Sequence, residues 1–148
     1  MTAQWTWCAS ALTDADGSEL ASVRDGVLAT AAGERLTLES SLDSSSPRFF
    51  LRAQTAAGAG EDFSVTQAGI TVTRLRAACG EREYLLERRN PFRRERRIVA
   101  RSTGAEVAST APAGEGLRVS VGELPELDAI FLSYACLLLD ATPRTLCT

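Results

Sequence analysis

The feature that most constrains this chain is an uncharged run at residues 129–139, Ala-Ile-Phe-Leu-Ser-Tyr-Ala-Cys-Leu-Leu-Leu. Pro125, with Glu126 and Asp128 just behind it, marks a helix start. Proline suits a first helical turn, and carboxylates answer the positive end of the helix dipole. The spacing predicts a helix over about residues 125–139. On that helix Leu127, Ile130, Phe131, Tyr134 and Leu138 share one side, while Leu132, Cys136 and Leu139 occupy the other. A helix that is apolar nearly all round must be surrounded by protein. It is too short for a bilayer, which takes about 20 residues.

What surrounds it has to be β structure, because the rest of the chain reads as short strands broken by turn residues. Trp5 and Trp7 fall on one side of a run over residues 4–12, which ends at Asp16-Gly17. Asp25-Gly26 separates residues 20–23 from 27–30, and Asp-Gly is a strong hairpin signal. Further runs lie at 35–39, 48–54, 63–65, 70–73, 83–88, 96–101, 106–109 and 117–121. The expected fold is therefore mainly β, a single domain over residues 1–148. About ten to twelve short antiparallel strands form a barrel or curved sandwich around one buried hydrophobic C-terminal helix.

Composition removes several chemistries. The 148 residues contain no histidine, so no imidazole base, proton shuttle or metal ligand is available. They contain no lysine either, since all 16 cationic side chains are arginine, which excludes Schiff-base chemistry and a P-loop. The all-arginine usage also fits a GC-rich genome. A net charge of −3 argues against a general nucleic-acid binder. Cys8, Cys79, Cys136 and Cys147 form no CxxC pair, so four reduced thiols, no metal and no cofactor are expected. The first residues lack a basic segment followed by an apolar one, and the expected location is cytoplasmic or peripheral to a membrane.

The stretch Tyr84-Leu85-Leu86-Glu87-Arg88-Arg89, then Arg97-Ile98-Val99, Thr103-Gly104-Ala105-Glu106-Val107 and Gly116-Leu117-Arg118-Val119 before the apolar helix resembles the tubby C-terminal-like group. That group includes tubby proteins, phospholipid scramblases and LURP-one-related proteins. The resemblance covers about residues 82–140 and implies a β-barrel closed around a central helix. The lysine and arginine pair with which tubby grips phosphoinositides has no counterpart here, so no family site residue carries over.

The candidate site is Arg88-Arg89-Asn90-Pro91-Phe92-Arg93-Arg94-Glu95-Arg96-Arg97. Guanidinium groups chelate phosphate or carboxylate in pairs, and an exposed aromatic can enter lipid. Arg88, Arg89, Arg93, Arg94, Arg96 and Arg97, with Phe92 at the tip, are thus expected to project as an anion-binding patch. The plain alternative is a solvated turn paired with Glu87 and Glu95. Asp14-x-Asp16-Gly17-x-Glu19 is read as a hairpin turn rather than a calcium loop, and Glu81 with Glu83 as solvent-facing strand residues. Gly58-x-Gly60 and Gly114-x-Gly116 lack the following helix a phosphate loop needs. Two functions fit these features. One is a non-catalytic module recognising an anionic lipid headgroup or a protein partner. The other is a small enzyme working with carboxylates and arginines alone.

Overall fold

The computed structural model describes residues 2–41, 48–55, 62–69, 71–90, 93–114 and 116–140. Its strands are β1 (Ala3–Cys8), β2 (Ala11–Thr13), β3 (Glu19–Arg24), β4 (Val27–Thr30), β5 (Arg35–Ser40) and β6 (Phe50–Thr55). They continue as β7 (Asp62–Gln67), β8 (Arg74–Cys79), β9 (Arg82–Arg88), β10 (Arg96–Ala100), β11 (Glu106–Ala113) and β12 (Gly116–Val121), followed by helix α1 (Glu126–Asp140). Each strand pairs antiparallel with the next, and β1 pairs with β12, so the twelve close into a barrel without an edge.

Period-two alternation decides which residues enter the barrel. One inward row runs Leu75, Leu86, Ile98, Ala108, Val121 across five successive strands in direct register. Trp5 and Trp7 point in from β1, opposite Val119 and Leu117 of β12. Helix α1 passes through this interior. Phe131 meets Phe63 of β7 with ring centroids 5.4 Å apart, and Tyr134 meets Trp7 of β1 at the same separation. The Trp7 indole donates to Ser133 Oγ at 2.8 Å, and that hydroxyl donates to the Ile130 carbonyl at 3.0 Å. Strand and helix side chains form one apolar core. Ile130, Phe131, Leu132, Ala135 and Cys136 are buried, which places protein on both sides of the helix as its pattern requires. Towards its C-terminal end the enclosure loosens. Tyr134 and Leu138 are half-buried and line a cavity of about 200 Å³ with Val23, Leu38 and Leu51.

Several boundaries differ from those expected. The run over 4–12 is two strands, because the chain turns at Ala9 with φ 56°. Val72 and Thr73 belong to a turn, and the strand lies just beyond, at β8. β-branched residues had marked the wrong side of that turn. Both Asp-Gly turns form as expected, with Gly17 at φ 85° and Gly26 at φ 76°. Asp14 Oδ1 accepts from the backbone N–H groups of Asp16 and Ser18, so this aspartate serves its own turn. Where β12 meets β1, a side chain at Gly116 would run into the Trp7 carbonyl, so the closing seam requires glycine there.

Candidate functional site

Two clusters of charge sit inside the barrel, one at each end of α1. At the N-terminal end Asp128 is fully buried and takes a two-pronged contact from Arg82, Nε to Oδ2 at 2.6 Å and Nη2 to Oδ1 at 2.9 Å. The Tyr84 hydroxyl donates to the same Oδ2 at 2.6 Å. Burial, then the bond to Asp128 and its charge, push the Tyr84 phenol well above its ordinary range. Arg82 and Tyr84 also line a cleft of about 890 Å³, rimmed by Glu81, Glu83, Glu106 and Glu123. Glu81 lies in the turn before β9 rather than on the strand, and Glu83 pairs with Arg101 at 3.6 Å.

At the other end Asp140, the last helical residue, is also fully buried. Arg96 is its main partner, Nε to Oδ2 at 2.5 Å and Nη2 to Oδ1 at 3.1 Å, and is itself fully buried. Arg88 Nη2 adds a bond to Oδ1 at 3.2 Å, and Arg94 Nη1 reaches the Asp140 carbonyl at 3.4 Å. A helix C-terminus carries partial negative charge, and Asp140 adds to it, so this end needs several cations.

The expected arginine patch is thereby divided. Arg96 does not project, because it shares the inward face of β10 with Ile98, and Arg88 shares that of β9 with Tyr84 and Leu86. Arg89, Arg93, Arg94 and Arg97 remain exposed, paired respectively with Glu106 at 2.7 Å, Glu95 at 3.8 Å, the Asp140 carbonyl, and Glu87 at 3.3 Å. Phe92 lies outside the described residues. Arg88, Arg89 and Arg97, with Glu87, line a cleft of about 310 Å³ on the outer surface.

The sequence reading missed Arg82, Asp128 and Asp140 as partners. From the sequence, the helix dipole alone accounts for Asp128. The available signal was that the apolar helix carries an aspartate at each end, and two buried carboxylates require two sets of buried donors.

Cys79 and Cys136 are free and buried, whereas Cys8 is disulfide-bonded, so the expectation of four reduced thiols fails at that position. Burial first, then the nearby Asp140 carboxylate, pushes the Cys136 thiol up to about 12. A thiol and a phenol that ionise at higher pH in the folded state than in the unfolded one remove stability as pH rises. The urea midpoint is therefore expected to hold steady to about pH 9 and to fall above it. The fall should be smaller in Tyr84→Phe, and an unchanged midpoint at pH 10.5 would contradict the burial of these groups. Among the described residues no three histidine, cysteine, aspartate or glutamate side chains come together to hold a metal. No protein-family model, curated protein or solved structure matches the chain.

Proposed function

We propose that the chain is a non-catalytic, tubby-like binding module that takes an anionic lipid headgroup at the arginine end of its barrel. The observation that carries this reading is a local excess of positive charge. Among the described residues, the six guanidiniums of Arg74, Arg88, Arg89, Arg93, Arg96 and Arg97 meet four carboxylates, Glu87, Glu95, Glu106 and Asp140, and a seventh, Arg94, bonds the Asp140 main-chain carbonyl. The whole chain carries −3, so this end opposes the charge of the rest. The barrel threaded by a helix supports the tubby-like part of the reading. Both buried carboxylates are occupied by arginines that hold α1, which supports binding over catalysis by Asp128 or Asp140. Among the described residues no helix is long and apolar enough to cross a membrane.

The test uses Arg89→Ser, Arg93→Ser and Arg97→Ser together, sparing the arginines that hold Asp140. Each basic residue near an anionic surface contributes roughly 1 kcal/mol, so loss of three should weaken liposome sedimentation by roughly 100-fold. Wild-type binding should also fall steeply with salt. Failure of the wild-type protein to sediment with phosphatidylserine vesicles would overturn the lipid reading and leave an acidic protein surface as the partner to pursue.

A further inference from the structure

Among the described residues, three side-chain atoms are buried and have no hydrogen-bond partner: Arg88 Nε, Arg96 Nη1 and Thr110 Oγ1. They are not scattered. Arg88 stands opposite Arg96, and Arg96 opposite Thr110, in direct register on β9, β10 and β11. Directly opposed residues in an antiparallel sheet have Cα atoms about 4.5–5.5 Å apart, so the three side chains share one neighbourhood inside the barrel wall. Arg96 and Thr110 are buried, 18% of the Arg88 side chain is exposed, and Arg88 is among the residues that line the outer cleft.

Their chemistry is one-sided. Both arginine atoms can only donate, so the position calls for an acceptor, whereas the Thr110 hydroxyl also has the Cys136 thiol beside it. Buried donors without partners are rare in proteins, and an unseen ion or water is a standard reason for them. Charge distinguishes the two. Arg88 and Arg96 bring two positive charges to one carboxylate, Asp140, and among the described residues no further acid bonds either of them. Arg94 answers the helix carbonyl end from outside. One unit of positive charge is left over in a place where unpaired charge is costly. We infer that a small monovalent anion of halide size sits between Arg88, Arg96 and Thr110 and neutralises it. The ion reaches the site past Arg88, the one member of the set that touches the surface. This site is separate from the exposed arginines Arg89, Arg93 and Arg97, and the inference stands whether or not the protein binds lipid.

Melting temperatures in sodium bromide and sodium gluconate of equal ionic strength provide the test. A ligand that binds only the folded state raises the melting temperature with its concentration, so bromide should raise it by several degrees over gluconate. Arg88→Met makes the buried charge neutral while leaving the Arg96–Asp140 contact in place, and it should abolish the difference. Thr110→Val, which keeps the side-chain shape, should reduce it. Crystals grown in bromide should show an anomalous peak between the three residues. Equal melting temperatures in the two salts, a bromide effect that persists in Arg88→Met, or a water refined at the position would each overturn the inference.

Discussion

Arg96→Met is expected to destabilise the protein by about 3–5 kcal/mol, because it strips a buried carboxylate of its main partner. Arg96 and Asp140 are both fully buried and joined by two bonds. Removal of the guanidinium leaves Asp140 with Arg88 and a long contact from Arg94 to its carbonyl. A loss of that size is a large part of the roughly 5–15 kcal/mol that holds a domain together. Urea denaturation followed by tryptophan fluorescence measures it directly, since Trp7 lies in the same core. Removing the carboxylate as well should reverse most of the loss, because a buried ion pair can often be replaced by apolar groups at little cost. Arg96→Met with Asp140→Leu should therefore be clearly more stable than Arg96→Met alone. Equal stability of the single variant and the wild type would mean that the buried pair is not as described.

Phe131→Ala is expected to cost about 3–5 kcal/mol, the usual result of truncating a fully buried aromatic. The ring is fully buried, edge-on to Phe63 of β7. The closed wall restricts collapse around the space left behind, since each strand is hydrogen-bonded on both sides. Phe131→Leu should recover most of the stability by refilling that space. Denaturation curves of the two variants, with equal slopes and different midpoints, would locate the effect in the folded core. A midpoint for Phe131→Ala close to that of the wild type would show that the helix is not enclosed.

The fold was legible because two periodicities coincide in one sequence. The helix lacks a polar face, and the strands alternate, so only a wall around a rod accommodates both. The sequence could not resolve strand ends such as Ala9, where a non-glycine residue adopts a left-handed turn. The candidate site was legible in composition but not in direction. Arginine at the tip of a hairpin suggests solvent, yet alternation carried through from Ile98 to Arg96, and from Leu86 to Arg88, points both inward. In a closed barrel register prevails, because a one-residue slip would expose Leu86 and Ile98 as well.

The seam between β1 and β12 has a kinetic consequence. Every other pairing joins neighbours in the chain, and hairpins of that kind form within microseconds. The seam instead joins Trp5 to Val119, and Trp7 must also find Ser133 on the helix. Contacts so distant in sequence slow folding, since the chain gives up its freedom before they repay it. On the ribosome the early strands emerge first and wait, their inner faces uncovered, for the rod that fills them. Vectorial synthesis therefore leaves Leu12, Leu28 and Leu36 exposed until the last segment arrives, and this interval is when the chain most needs protection from aggregation.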